Sequence, residues 1–409
     1  MRMVNLAATS PLGRAPLGAN PLVNRVSAPP IPQAQGWLKA YDGRLGPAVD
    51  LSQAVPGHGP AASFLERFAR AALDPASARY GPILGDEALR EAYARHVSPL
   101  YGASVEADDI AVTAGCNQAF FVAALAVAGP DSSVLLPTPW YFNHEMTLRM
   151  LGIEPVALPT NAARGFVPDP AEAEALVDET TRALVLVSPN NPTGAVYPPA
   201  AIEALHDMCR QRGLFLILDE TYRDFLPAEA GPPHALFGRP DWRDGLIALY
   251  SFSKSYAIPG HRLGAMAAGP AVLDAAGKIL DCVEICASRP SQAALAPSIA
   301  ETGDWRAART AEILARTRAF EAAMAALPQW RVESCGAYFA YLAHPFPGRS
   351  AEEVATALAG RLGLLVLPGS FFGPGQDGHL RVAFANVDEA GIARFAQRLA
   401  LAGNLFEHG

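Results

Sequence analysis

Short apolar runs and longer amphipathic segments alternate along the chain from about residue 85 to 270. The runs are "IAVTA" (110–114), "SVLLP" (133–137), "ALVLVS" (183–188), "LFLILD" (214–219), "LIALYS" (246–251) and "LGAMAAG" (263–269). They are apolar at odd and even positions alike, the pattern of strands covered on both faces. Between them lie helical segments such as "DPAEAEALVDE" and "PPAAIEALHDMCRQRG". The second opens on proline and closes on glycine, a favoured helix punctuation. Strands alternating with helices predict an α/β domain with a mostly parallel central sheet flanked by helices.

Beyond about residue 270 the pattern changes, as at a domain boundary. The helical stretch "WRAARTAEILARTRAFEAAMAAL" (305–327) leads to a strand-like "GAYFAYLAH". A helix, "SAEEVATALAGRLG", follows, then "LLVLPGSFFGPG", "LRVAFAN" and a last helix, "DEAGIARFAQRLALAG". This predicts a smaller α+β domain formed by both chain ends. A length of 409 residues is too great for one ordinary core and supports the division. The expected organisation is an N-terminal arm at 1–45, a large domain at 46–290 and a small domain at 291–409. The extended stretch at 46–60 is expected to pack with the small domain. No internal repeat is visible.

Composition removes several classes of function. The net charge is −8 and no Lys/Arg cluster appears, so a nucleic-acid face is not expected. The longest apolar runs, such as "AFFVAALAVAG", fall short of a membrane span. The five cysteines include no CxxC pair, which argues against a disulfide framework or a structural zinc site. The opening residues are broken by Pro and Gly and lack a secretory h-region; a loose arm and a cytoplasmic location are expected. There are only three lysines, Lys39, Lys254 and Lys278. An arginine-rich composition explains that scarcity by itself.

The chemistry lies just beyond the strands, where open α/β sheets bind ligands. "IAVTA" runs into Gly115, Cys116 and Asn117 at the start of a helix, where free N–H groups suit an anion. "SVLLP" is followed by "TPWY", and "ALVLVS" by "PNNPTG". Asp219 ends "LFLILD", with Glu220 and Tyr222 behind it; Ser253 and Lys254 follow "LIALYS". Each of these has a plain structural use alone, as a turn, a cap or a surface charge. Together they match the needs of pyridoxal 5′-phosphate (PLP). A desolvated lysine can form a Schiff base with its aldehyde, and a buried carboxylate keeps its ring nitrogen protonated. Lys254 and Asp219 fit those tasks. The turn at Gly115–Asn117, Ser251, Ser253 and Arg262 suit the phosphate. Tyr141 offers a face to the ring, and Asn191 and Tyr222 suit its phenolic oxygen.

"SFSKSYAIPGHRLG" resembles the lysine signature of the class I/II PLP-dependent aminotransferases, the aspartate-aminotransferase-like family of fold type I. "YGPILGDEALREA", "TAGCNQA", "PTPWY", "SPNNPTG", "DETY" and "GHLRVAFA" are similar to that family's other landmarks, in its order, over about residues 45 to 400. The resemblance implies an internal aldimine on Lys254, which also moves the proton at the substrate Cα. It implies Asp219 on the pyridine nitrogen, Asn191 and Tyr222 on the ring oxygen, and Tyr141 stacked on the ring. Ser251, Ser253, Arg262, Gly115, Cys116 and Asn117 would hold the phosphate. Tyr80 would reach the phosphate of a neighbouring subunit, making a homodimer the functional unit. Arg381 would clamp the substrate α-carboxylate. The implied activity is ping-pong transfer of an amino group between an L-amino acid and a 2-oxo acid.

Two departures stand out. Ala54 occupies a position where the family usually has glycine, and its methyl could narrow the substrate pocket. Cys116 stands where small or hydroxyl residues are more usual. For the substrate side chain, Arg289 is a candidate cation, though an interface arginine is the simpler reading. Trp140, Tyr141, Phe142, Phe371 and Phe372 would suit an apolar or aromatic amino acid. The alternatives are a β-eliminating C–S lyase or ACC-synthase-like enzyme on the same scaffold and, more remotely, a non-catalytic PLP-binding sensor. The sensor needs an additional basic domain, for which the arm is too short.

Overall fold

The computed structural model describes residues 18–406. The apolar runs form strands whose successive side chains enter two buried layers. Leu184, Leu186, Leu216, Leu218 and Leu246 point into one layer. Ala183, Val185, Ile217, Ile247 and Leu249 point into the other. The period of two in a strand sends neighbours to opposite faces, so a strand apolar at every position needs cover on both. Each fully buried aliphatic side chain contributes roughly 1.5–3 kcal/mol of transfer free energy.

In chain order the strands are β1 (Val49–Asp50), β2 (Ile110–Thr113), β3 (Ser133–Thr138), β4 (Glu154–Pro159), β5 (Thr181–Val187), β6 (Phe215–Asp219), β7 (Leu246–Ser251) and β8 (Gly264–Ala268). Strands β2 to β8 make one sheet in the order β2-β8-β7-β6-β5-β3-β4. Within it β8 is antiparallel to both neighbours, and the other pairs are parallel. The carboxyl ends of β2, β3, β5, β6 and β7 therefore share one edge with the amino end of β8. Helix Pro199–Arg212 starts on proline and ends at Gly213 in the left-handed region, as its punctuation predicts.

The small domain holds β9 (Arg331–Gly336), β10 (Phe339–Ala343), β11 (Leu364–Leu365), β12 (Leu367–Pro368) and β13 (His379–Ala383). An antiparallel sheet runs β12-β13-β10-β9, and β1 pairs parallel with β11. A separate core of Phe320, Trp330, Leu358, Phe384 and Phe395 lies behind it. Helix Gly303–Ala325, about 35 Å long by its rise per residue, carries the chain across. Its first half touches the 223–225 turn, and Phe320 and Met324 enter the small-domain core.

Four features differ from the sequence pattern. The direction of β8 is invisible in a local apolar run. Strands β4 ("EPVALP") and β9 ("RVESCG") lie at sheet edges, where proline and polar residues blunt the alternation. The stretch expected to be a loose arm contains helix Pro30–Trp37, whose Ala34 is buried against Leu365, Leu367 and Phe372; residues 1–17 of that arm lie outside the described residues. The expected boundary at 290 falls in the first turn of helix Arg289–Glu301, which packs on Ala62–Leu73 and Glu87–Tyr101.

The two domains meet closely at Gly194. Its φ is +75°, and a Cβ there would lie 2.6 Å from the carbonyl oxygens of Gly336 and Phe339. Gly213, at φ +68°, has open space around its Cβ position. Gly213→Ala should therefore cost only the left-handed penalty of about 1 kcal/mol. Gly194→Ala should cost about 3 kcal/mol or more because backbone must move. Thermal denaturation of both variants checks this; equal losses would mean that the close approach carries no strain.

Candidate active site

The shared sheet edge opens into a cavity of about 430 Å³. Strand β2 delivers the first part of its wall. It ends in Gly115, at φ +89°, which starts helix Cys116–Val127 with no side-chain cap on the first-turn N–H groups. Arg262, itself left-handed at φ +51°, lies against this turn and donates to the carbonyls of Ala114 (3.1 Å) and Pro259 (3.0 Å). A Cβ on Gly115 would collide with the Arg262 guanidinium, and one on Gly264 would meet the Gly115–Cys116 backbone at 2.7–2.9 Å. Two glycines thus let backbone and guanidinium converge. Ser251 and Ser253 line the same side, with the Ser253 N–H donating to Ser251 Oγ at 3.2 Å.

Asp219, the last residue of β6, is buried in the wall of the same cavity. Thr221 donates to its Oδ1 from both hydroxyl (2.6 Å) and backbone N–H (2.9 Å), and His144 Nε2 lies 3.5 Å from Oδ2. Burial would raise its pKa, but the His144 and Thr221 contacts outweigh that and hold it below the usual carboxylate value. His144 is fixed by stacking on Phe120 at 3.9 Å and by an edge contact with Tyr141 at 5.2 Å. Tyr141 lines the cavity, its hydroxyl 3.5 Å from Asn117 Oδ1. Burial pushes the Tyr141 phenol up to about 12. Burial and the nearby Asp219 hold the Cys116 thiol well above its usual value, so it stays a thiol here.

Lys254 sits in the short helix Phe252–Ser255 after β7, and its Nζ donates to the Ala54 carbonyl. Burial, then Arg262 and Arg381, lower its pKa to about 8. The Ala54 methyl packs against the aromatic cluster of Tyr222, Phe225, Tyr338 and Phe339. Tyr222 lines the cavity beside it. In the "SPNNPTG" turn the two amides divide the work. Asn190 accepts from Thr193 N and Oγ1 and pins the turn, while Asn191 faces the cavity.

Arg381, on β13, is 2% exposed. It donates to Asn191 Oδ1 at 3.4 Å and to the Ser52 carbonyl, and its guanidinium lies 5.3 Å from the Phe339 and Phe372 ring centroids. Its Nε is buried without a partner. Among the described residues no carboxylate stands within ion-pair distance of it. Burial lowers its pKa to about 10, which leaves it cationic at neutral pH.

Thirteen of the residues singled out in the sequence line this one cavity, with Gly115 behind its wall. Tyr80 is outside it, exposed at the protein surface. Arg289 is turned to its own chain, 3.4 Å from Asp86 and donating to the Ala76 carbonyl. Of the five aromatic residues, Tyr141 and Phe142 line the cavity, whereas Phe372 is packed with Phe142, Leu365 and Leu367 and has no exposed surface. Trp140 and Phe371 border a neighbouring depression instead. His144 and Thr221 were not singled out; the one signal for His144 is its place one helical turn after Tyr141. Nor did the pattern mark Pro29–Pro32, which close one side of the cavity.

The donor set fits PLP. An uncapped helix start, two serines and a guanidinium meet in the cavity, which a buried carboxylate held anionic also lines. A lysine with a lowered pKa lines the same cavity, and the buried Arg381 Nε has a hydrogen to give. Architecture and site together define a fold type I, aspartate-aminotransferase-like enzyme. The sequence profile for "Aminotransferase class I and II" matches residues 47–399, so the chain belongs to that family of PLP-dependent enzymes and is a transaminase. It is 30% identical over 346 residues to the probable aspartate/prephenate aminotransferase of Thermus aquaticus, spanning 81% of this chain and 86% of that protein. It is 28% identical over 358 residues to the aromatic aminotransferase ISS1 of Arabidopsis thaliana, spanning 86% and 88%. The structure of Thermus thermophilus aspartate aminotransferase with maleate superimposes with a TM-score of 0.85, covering 94% of this chain and 99% of that one at 23% identity.

The three lysines make the amine titration testable. Reductive ¹³C-methylation of the cofactor-free protein should give a Lys254 signal, identified by its loss in Lys254→Ala. It should titrate near the value of about 8 and move upward in Arg262→Gln. A wild-type midpoint at the ordinary lysine value would contradict the electrostatics of the cavity.

Proposed function

We propose that the protein transfers an amino group between an L-amino acid and a 2-oxo acid, with Lys254 as the cofactor-bearing and proton-moving residue. The observation that carries this reading is a cavity holding a lysine of lowered pKa and a buried arginine that, among the described residues, has no carboxylate of its own. When bound, PLP supplies an aldehyde that captures primary amines and a protonated ring that draws electrons from the substrate Cα.

The chain's residues divide the remaining tasks. At pH 7 an amine with a pKa near 8 is about one-tenth neutral, against well under one-thousandth at the ordinary lysine pKa. Lys254 Nζ can therefore take a proton from the substrate Cα and return it. Asp219, kept anionic by Thr221 and His144, would face the ring nitrogen and hold its proton. Asn191 and Tyr222 would bind the ring oxygen and Tyr141 the ring face. The N–H groups from Gly115 to Asn117, with Ser251, Ser253 and Arg262, would bind the phosphate dianion. Arg381, braced by Asn191 and two aromatic rings, would bind the α-carboxylate bidentately. The backbone at Ala54 would border the substrate.

A homodimer with shared sites agrees with the exposed Leu73, Tyr80 and Val283. Their segments adjoin, because the Gly81 N–H donates to Cys286 Sγ and Arg289 reaches the Ala76 carbonyl. Tyr80 would then serve the neighbouring subunit's phosphate. The five cysteines are free, which suits the reducing cytoplasm. Among the described residues no helix is long and apolar enough to cross a membrane.

The test is a panel of L-amino acids against 2-oxoglutarate and pyruvate. Transfer predicts one new amino acid for each oxo acid formed. Ammonia and pyruvate from cysteine-type substrates would instead mean elimination. Arg381→Lys should lower kcat/KM about a hundredfold or more for every donor, since a point charge replaces a planar fork. An unchanged value would mean that the α-carboxylate is held elsewhere. Asp219→Asn should fold normally and lose about a hundredfold in kcat; near wild-type turnover would remove Asp219 from its role.

A further inference from the structure

Behind the cavity wall lies a buried polar cluster that the proposed reaction does not use. Along the 219–224 turn, Asp219, Thr221 and Tyr222 line the cavity, while Glu220 and Arg223 enter the protein interior. Tyr101 donates to Glu220 Oε1 at 2.6 Å. Arg223 donates to the hydroxyls of Tyr101 (3.3 Å) and Tyr93 (3.1 Å) and stacks over Tyr250 at 4.1 Å. The Tyr250 hydroxyl donates to Asp224 Oδ2 and lies 2.9 Å from Ser255 Oγ. Asp224 is tied in turn to the interdomain helix Gly303–Ala325, because its carbonyl accepts from Thr310 Oγ1 at 2.8 Å. From the same helix Arg306 stacks over Tyr256 at 4.9 Å.

Burying ions costs several kcal/mol each, and an apolar cluster of the same volume would stabilise the fold at least as well. What this cluster adds is a single arrangement of three segments. Tyr250 directly precedes the phosphate-side Ser251, and Ser255 directly follows Lys254. The helix that carries Lys254 has only four residues, too few to hold its own orientation. Its end is fixed by the Ser255–Tyr250–Asp224 chain, and Asp224 is fixed by the interdomain helix. A four-carbon side chain places its amine only as well as its backbone is placed.

We propose that Tyr250 and Asp224 are positioning residues for Lys254, locking the lysine turn to the interdomain helix so that the amine meets the substrate Cα at one distance. This rests on the reading of Lys254 given above. Neither residue lines the cavity, so their effect runs through the turn.

The test uses the PLP-loaded enzyme and the best donor from the amino-acid panel. Tyr250→Phe keeps the ring under Arg223 and removes only the hydroxyl. It should lower kcat about tenfold, with the donor KM within about twofold of wild type. Cofactor content should stay unchanged, and the visible circular dichroism band of the bound cofactor should shift as the lysine turn reorients. Ser255→Ala should match it. Asp224→Asn retains an acceptor for the Tyr250 hydroxyl and should keep kcat within about threefold of wild type, whereas Asp224→Ala should behave like Tyr250→Phe. A wild-type kcat and dichroism band in Tyr250→Phe would overturn the proposal. A lowered melting temperature with kcat unchanged would overturn it too, by showing a purely structural role. A wild-type enzyme that turns over no amino acid would defeat the reading of Lys254 and this proposal with it.

Discussion

The cavity at the sheet edge is electrostatically one-sided. Among the described residues three cationic side chains, Lys254, Arg262 and Arg381, line it against one carboxylate, Asp219. Charges removed from water need partners, and here the protein supplies only part of them. Asp219 is further committed to Thr221 and His144. The cavity is thus suited to anions, in keeping with the proposed phosphate at the Gly115 turn and the proposed substrate carboxylate at Arg381. The lowered pKa of Lys254 comes first from burial and then from the two guanidinium groups, which disfavour its protonated form. One arrangement thus underlies both parts of the proposal, anion binding and an amine partly neutral near pH 7.

The fold is what makes this imbalance sustainable. A sheet buried on both faces fixes its strand ends rigidly, and five of those ends deliver residues to one edge. The small domain contributes Arg381 from β13, held between Phe339 and Phe372. The joint between the domains is narrow, with Gly194 set against the β9–β10 hairpin. The buried cluster of Arg223, Tyr250 and Asp224 is tied to the interdomain helix through Thr310. The groups of the cavity therefore come from two domains, and their relative placement depends on contacts some distance from the chemistry.

Much of this was legible in the sequence for a definite reason. In a parallel sheet each strand is a local apolar run, and the residues just after it are the ones at the functional edge. That is how Gly115, Asp219, Asn191 and Lys254 could be placed near one another without a structure. The rest depends on geometry that no local pattern carries. His144 reaches Asp219 only because helix Phe142–Met150 begins where it does. The cover provided by Pro29–Pro32 depends on docking of Ala34 onto Leu365 and Leu367. Phe372 has an aromatic side chain at a promising place in the chain but is spent on packing. The antiparallel β8 reads like any other strand. Arg289 and Tyr80 lie outside the cavity of their own chain, so one chain says nothing of their use beyond it.

The central claim is that this cavity binds PLP through Lys254. The most direct measurement is borohydride reduction of the PLP-loaded protein, followed by proteolysis and mass mapping of the three lysine-containing peptides. The account predicts a phosphopyridoxyl group on the peptide containing Lys254 at one per chain, with Lys39 and Lys278 unmodified. Stoichiometric modification at Lys39 or Lys278, with Lys254 free, would contradict it.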